Sequence, residues 1–281
     1  MRFRKIILVG SGKIACDCLK EILKYDVEFR ALETGKSHLS MLKSYAHKES
    51  VIYCCLNESK KILEYLQGEL EDKKETLIVS ANNDYLFPED IVKKAEIINF
   101  HYSYLPDYRG VNIPTWVIFN GEKETGVTWH YVNDNIDDGN IIVQQKILIK
   151  DNTTAFDITQ IGMQIGKKLF ESFFPEFLER KIEGKNNIQP TGGHCYQKKQ
   201  RPNGGYLDII NLQEKGIWNL LRAYDYRGAD VIEPLKMELA DGVHEVKKYK
   251  RNISQEEIAD MDYVFEKEGV CFGLKFRERK E

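Results

Sequence analysis

A chain of 281 residues, 42% hydrophobic and 11% aromatic, can bury the core of one large domain or two smaller ones, which excludes disorder as its main state. Its formal charge of -3, from 41 Lys+Arg against 44 Asp+Glu, excludes a molecule-wide cationic footprint for nucleic acid or anionic membrane and leaves room for a local basic patch. The six cysteines form no paired C-x2-C clusters of zinc-site spacing and read as reduced core and loop thiols.

The N-terminus MRFRKIILVGSGKIA starts basic, but its apolar run before Gly10 is shorter than the roughly 7 to 15 residues of a signal-peptide core. No run approaches the roughly 20 apolar residues of a membrane span, so a soluble cytoplasmic protein is expected. The runs KIILVG, VEFRALE, SVIYCCL and TLIVSA alternate with helical patterns through Leu19 to Leu23, near Ser40 and from Ser59 to Leu70. That alternation predicts βαβ units in an open, mostly parallel α/β sheet, with a ligand crevice at the carboxyl ends of the strands.

EIINF then runs into HYSYLPDYRG, where Pro106 and Gly110 forbid a continued strand or helix, so the segment is a loop at a strand's carboxyl end. A helix is expected around Pro114 to Asn120, followed by GVTWHYV and NIIVQQKILI as a hairpin joined by the turn-rich NDNIDDG. From Thr154 the pattern turns helical, with Thr154 and Asp157 as a cap pair. Pro175 is expected to kink or divide this helix before Gly184 and KNNIQP end it.

Gly, Pro and Asn gather in TGGHCYQKKQRPNGGY, the best linker in the chain. Beyond it, a helix over NLQEKGIWNLLRAYDY precedes LKMEL, HEVKKYK, DYVFEK and VCFGLKF, which suggest a small antiparallel β module. The expected layout is a main domain over 1–190, a linker over 191–205 and a small accessory domain over 206–281.

In the extended segment Asn99-Phe100-His101-Tyr102-Ser103, a spacing of two puts Asn99, His101 and Ser103 on one face. Such a polar face makes little sense as hydrophobic packing and lies where an open α/β sheet binds ligands. Taken alone, His101 could simply bond a loop carbonyl, and the acids between Asn133 and Gly139 could be solvated turn formers. Together, a neutral imidazole, a carboxamide donor and a carboxylate are the set needed to move a formyl group between nitrogens, with no metal required.

The string Asn99-Phe100-His101-Tyr102-Ser103-Tyr104-Leu105-Pro106-Asp107-Tyr108-Arg109-Gly110 resembles the N-x-H-x-S-x-L-P-x-Y/W-R-G segment of formyltransferases that use 10-formyltetrahydrofolate. Further on, Gly126-Val127-Thr128 and Ile136-Asp137-Asp138-Gly139 resemble that family's second signature, G-V-T and then L-D-x-G. The resemblance covers roughly residues 1 to 200, while Leu221-Arg222-Ala223 and Arg227-Gly228-Ala229 match the accessory domain loosely. It implies a Rossmann-like catalytic domain with Asn99, His101 and Asp137 as catalytic residues. Asn99 would donate to the developing oxyanion, and a protonated His101 would add a second donor. Asp137 would orient His101, raise its pKa and accept the amine proton.

By the same resemblance, 10-formyltetrahydrofolate is the co-substrate. It would sit against Asn82, Asp84, Tyr85, Leu86 and Pro88 and the stretch from Tyr131 to Asp134, with Tyr131, Asn133 and Asp134 as contacts. Ser103, Tyr108, Arg109 and Gly110 would shape the loop or meet the acceptor. Tyr104, Tyr108, Trp116, Tyr224 and Tyr226 could stack on a base or sugar, or serve as ordinary core. The layout resembles sugar-nucleotide N-formyltransferases, making a nucleotide-linked amino sugar the expected acceptor, with a homodimer as a further expectation of the layout.

Methionyl-tRNA formyltransferases share the fold, but residues 201–281 hold 14 Lys+Arg against 16 Asp+Glu, a net of -2, which suits tRNA poorly. A formyltransferase of another small amine, a formyl hydrolase and a catalytically silent binding protein are further readings. Outside the class, Gly10-Ser11-Gly12-Lys13-Ile14-Ala15 satisfies G-x-G-x-x-A between a strand and a helix, with Glu33 about twenty residues on, as an NAD-dependent oxidoreductase would.

Overall fold

The computed structural model describes residues 3–35, 40–70, 75–179, 181–188 and 193–278. Its elements begin with β1 (Lys5–Gly10), α1 (Gly12–Ile22), β2 (Glu28–Thr34), α2 (Met41–Lys48), β3 (Ile52–Leu56) and α3 (Ser59–Glu69). Next come β4 (Thr76–Ala81), α4 (Glu89–Lys94), β5 (Glu96–His101), β6 (Arg109–Gly110), α5 (Ile113–Phe119), β7 (Glu124–Tyr131), β8 (Ile141–Leu148) and α6 (Ala155–Leu178). The remainder holds β9 (Cys195–Tyr196), a 3-10 turn at Pro202–Gly205, α7 (Glu214–Ala223), β10 (Lys236–Leu239), β11 (Gly242–Arg251), α8 (Gln255–Ile258), β12 (Tyr263–Lys267) and β13 (Val270–Phe276).

The chain forms two compact units, Met1–Arg109 with Gly126–Ile147 and Gln160–His194, and Gly110–Thr125 with Leu148–Thr159 and Cys195–Glu281. This division interleaves along the chain: two segments within 1–190 belong with the C-terminal residues. Of the stretch read as a linker, Thr191 and Gly192 lie outside the described residues, and the rest carries β9 and the 3-10 turn.

The first unit is built on a seven-stranded sheet of order β3-β2-β1-β4-β5-β7-β8. Strands β1 to β5 run parallel, and β7 reverses against β5. The apolar runs read as strands are buried on both faces because helices cover them: Ile7, Val9, Leu32, Ile78 and Ile97 pack with Ile62 and Leu66 of α3 and Ile91 of α4. Ser40 caps α2, its hydroxyl accepting the Lys43 amide at 2.9 Å. Thr154 and Asp157 form the expected reciprocal cap of α6, with amide-to-side-chain bonds of 3.0 and 3.2 Å.

The long helix departs from expectation in two places. Pro175 does not divide it, because that residue falls in the last turn and few backbone bonds remain to be lost. The helix also stops at Leu178, well before Gly184. Among the thiols, Cys16 and Cys18 are buried as expected, with burial holding Cys18 well above its ordinary pKa, but Cys55 on β3 and Cys195 on β9 are exposed.

The second unit holds a four-stranded sheet of order β10-β11-β13-β12, all antiparallel, as the tail predicts. Leu207, Ile217, Leu220 and Leu221 close its core against Met237, Phe272 and Leu274. Among the described residues no helix is long and apolar enough to cross a membrane.

Candidate active site

The site grows from the antiparallel pairing of β5 with β7 in the main sheet. Asn99 pairs with His130, Phe100 with Trp129 and His101 with Thr128, so alternation along β5 and β7 gives one polar face and one aromatic face. On the aromatic face, Phe100 and Trp129 lie 5.3 Å apart, and Trp129 also packs on Phe170 of α6 at 4.9 Å. The Trp129 indole N–H is satisfied by the Gly166 carbonyl at 2.9 Å. This dry underside fixes both strands, so the polar face above it is presented by rigid elements.

On that face, His101 Nε2 lies 2.8 Å from the Tyr108 carbonyl. A carbonyl only accepts, so Nε2 carries the hydrogen and Nδ1 faces Asp137 Oδ2 at 3.5 Å. Burial pushes the His101 pKa below the ordinary imidazole value; Asp137 and the Tyr108 bond oppose this, and His130 adds to it. Asp137 thus pulls the His101 pKa upward as expected, burial outweighs it, and the Nε2 hydrogen goes to the Tyr108 carbonyl.

Asp137 reaches the rings from a loop in which it adopts φ 49°. Its other oxygen lies 3.4 Å from His130 Nε2, and that nitrogen is 3.1 Å from Asn99 Nδ2. The loop is held from below. Gly139 packs so closely on β7 that a Cβ there would stand 1.8 Å from the Tyr131 carbonyl oxygen. Asn187 clamps it from the side, donating its amide hydrogens to the carbonyls of Asp137 at 3.0 Å and Gly139 at 3.1 Å.

Sequence reasoning missed both His130 and Asn187. The spacing of two in Thr128-Trp129-His130 was a signal for the first, but its partner Asn99 is fixed only by a pairing across β6 and α5. Asn187 carried no signal, since it stands in a stretch with no regular pattern.

The remaining expected contacts separate into groups. Tyr131, Asn133 and Asp134 line a cavity of about 340 Å³ between α4, the start of β5 and the end of β7, together with Val92, Glu96 and Ile97. The first loop is not part of that lining. Asn82 donates to the Ser11 hydroxyl at 3.1 Å, Tyr85 packs edge-on against Phe87 at 5.5 Å, Asp84 and Leu86 are exposed, and Pro88 precedes α4.

Ser103 turns inward, its hydroxyl donating to the Asp107 carbonyl at 2.7 Å, so it shapes the loop. The Tyr108 ring stacks on His194 at 5.6 Å, and the Arg109 amide donates to the His194 carbonyl at 3.0 Å. Gly110 has φ 95° and packs on the Tyr196 backbone. Of the aromatics considered for stacking, Trp116 already stacks on Tyr196 at 4.0 Å, and the hydroxyls of Tyr224 and Tyr226 bond the Pro202 carbonyl and Thr115. Lys146 lies over the Tyr104 ring at 5.2 Å.

The glycine turn that suggested a dinucleotide site has internal partners. A Cβ on Gly10 would stand 1.9 Å from the Ala81 carbonyl oxygen, so glycine is required there for β1 to lie against β4. The carboxylate of Glu33 is 2% exposed and accepts from Ser40 and Tyr53. Gly10 and Glu33 thus both have packing roles within the fold.

A protein-family model described as formyl transferase matches residues 6–173. The chain is 33% identical over 134 residues to a GDP-perosamine N-formyltransferase of Brucella melitensis biotype 1, covering 47% of this chain and 50% of that protein. It is 30% identical over 174 residues to a methionyl-tRNA formyltransferase of Clostridioides difficile, covering 58% and 55%. The chain thus spans about half the length of these curated relatives. Among solved structures, an N-formyltransferase from Helicobacter canadensis in complex with folinic acid and dTDP-3-aminofucose superposes with a TM-score of 0.72 at 20% identity, covering 98% of this chain and all of that one.

Proposed function

The chain belongs to the formyl transferase family, and from that premise we propose that it transfers a formyl group from 10-formyltetrahydrofolate to the primary amine of a nucleotide-linked amino sugar. One observation carries the reading: Asn99, His101 and Asp137, with His130 between them, converge within 3.1 to 3.5 Å at the carboxyl end of β5. The residues fit a folate donor, since Tyr131, Asn133 and Asp134 line a cavity on the same β5–β7 pair. When bound, the folate supplies a formyl group on a nitrogen that can leave.

Asn99 has one amide hydrogen on His130 and no other partner among the described residues. Its second hydrogen is therefore available to the formyl oxygen, where negative charge develops as the amine attacks. The bond from the amine nitrogen to the formyl carbon forms while the bond from that carbon to the donor nitrogen breaks. Asp137 takes the proton lost by the amine and holds it against His101 Nδ1, whose lone pair faces the carboxylate. The same proton returns to the leaving nitrogen, so charge balances over the turnover. Ser103 and Asn187 act through the loops they fix.

The preference for an amino sugar rests on the perosamine relative and on the net charge of -2 over residues 201–281, which offers tRNA phosphates little. The test offers 10-formyltetrahydrofolate with a panel of nucleoside-diphosphate amino sugars, and in parallel charged methionyl-tRNA, and follows the mass of the amine product. Gain of one formyl unit on a sugar supports the proposal. Formylation of methionyl-tRNA alone, or acceptor-independent release of formate, overturns the choice of acceptor.

A further inference from the structure

His130 is 2% exposed and stands at the centre of the polar cluster. Its Nδ1 lies 2.7 Å from the Tyr131 carbonyl oxygen, which only accepts, so Nδ1 carries a hydrogen. In the neutral ring Nε2 then keeps its lone pair. The group against that lone pair is the Asn99 carboxamide nitrogen at 3.1 Å, which only donates. The two constraints agree on one tautomer and on one orientation of the amide. The carbonyl of Tyr131 selects the tautomer, the tautomer selects the face of Asn99, and the amide is left with one hydrogen to give.

Resting on the reading that this site transfers a formyl group, we propose that His130 is a positioning residue that turns the Asn99 amide so its free N–H meets the formyl oxygen. The lone pair on Nε2 is the working feature of the ring. Asp137 Oδ1 stands 3.4 Å from the same nitrogen, so the ring also lies beside the carboxylate that takes the amine proton. An imidazolium would reverse the arrangement: Nε2–H would point at Asp137, and Asn99 would turn its carbonyl oxygen to the ring, placing an acceptor where the oxyanion needs a donor. The arrangement therefore depends on the Nε2 lone pair of His130.

The experiment uses 10-formyl-5,8-dideazafolate, a stable donor analogue, labelled with carbon-13 in the formyl group and followed by isotope-edited infrared spectroscopy on the full chain. Bound to the wild type, the formyl carbonyl stretch falls below its frequency in water-free solvent. Asn99→Ala loses that shift. His130→Phe, which keeps the ring volume and removes the lone pair, also loses it while still binding the analogue. His130→Gln, which offers a carboxamide oxygen at nearly the Nε2 position, restores it. A His130→Phe protein that binds with the wild-type frequency overturns the proposal, as does a His130→Gln protein that folds, binds and shows no recovery.

Nitrogen-15 spectra of the ligand-free protein separate this inference from the functional reading. A hydrogen on Nδ1 and a bare Nε2 on His130 are the expected tautomer, and a hydrogen on Nε2 overturns the proposal whether or not folate binds. Failure of the wild type to bind the analogue, with the expected tautomer present, removes the formyl-transfer reading and leaves the His130 to Asn99 bond standing.

Discussion

Asn99 and His130 face each other across β5 and β7, and the amide nitrogen of one lies 3.1 Å from the Nε2 of the other. The pairing gives Asn99 a fixed orientation and one uncommitted N–H. Replacing Asn99 with Ala is expected to lower kcat by about 10²- to 10³-fold, the usual loss on removing one oxyanion donor. The side chain is only half-buried, so the melting temperature should stay near that of the wild type. Steady-state kinetics and a thermal melt check both halves.

Asp137→Asn keeps the shape and the tolerance of asparagine for the left-handed backbone at φ 49°, but removes the proton acceptor. A fall in kcat by orders of magnitude with an unchanged melt is expected, as it is for His101→Ala. The two losses should not add, because both variants break the same proton path. A double variant twice as impaired on a logarithmic scale would contradict the shared path.

Burial depresses the His101 pKa, and the sign of the consequence follows directly. Above the unfolded value of about 6.5 the imidazole is neutral in both folded and unfolded chains and leaves stability unchanged with pH. Below it the unfolded chain binds a proton that the folded chain resists, so stability falls as pH drops through the folded value. Activity that needs neutral His101 should therefore persist somewhat below pH 6.5 or so before its acid limb begins. Melts and kcat/KM profiles of wild type and His101→Gln check this, and the variant should lose that part of the slope.

Asn187→Ala removes both amide donors from the loop carrying Asp137. We expect kcat to fall by about 10-fold with donor affinity nearly unchanged, since the carboxylate is displaced rather than deleted. The clamp is buried, so the melting temperature should fall by several degrees, corresponding to roughly 1 to 3 kcal/mol for unsatisfied carbonyls.

Gly10→Ala places a methyl against the Ala81 carbonyl. A loss of about 1 to 3 kcal/mol is expected from overpacking, with NADH binding to neither the variant nor the wild type because the turn serves the β1–β4 contact. Denaturant unfolding and a parallel NADH titration decide between a structural and a ligand role.

Much of this architecture was legible in residue pattern. The apolar runs of β1 and β4 could be read because parallel strands buried on both faces need continuous hydrophobicity, and the Thr154 and Asp157 cap because its chemistry is local. Asn99 and His101 could be placed on one face from a spacing of two. The link from Asn99 to His130 was not legible, since it depends on a register set by strands far apart in the chain. That burial outweighs Asp137 at His101 was not legible for a related reason: the burial exists only after the loop folds back. Pro175 misled because its effect depends on distance from a helix end that the pattern alone left open.

The most direct test of the central claim is calorimetric titration of 5-formyltetrahydrofolate, a stable mimic of the donor, into the wild-type chain, with NADH titrated in parallel. Saturable one-site binding of the folate and none of NADH is the result expected of a formyl-donor site beside Asn99, His101 and Asp137. Binding of NADH without folate would contradict it and return the function to the glycine turn after β1.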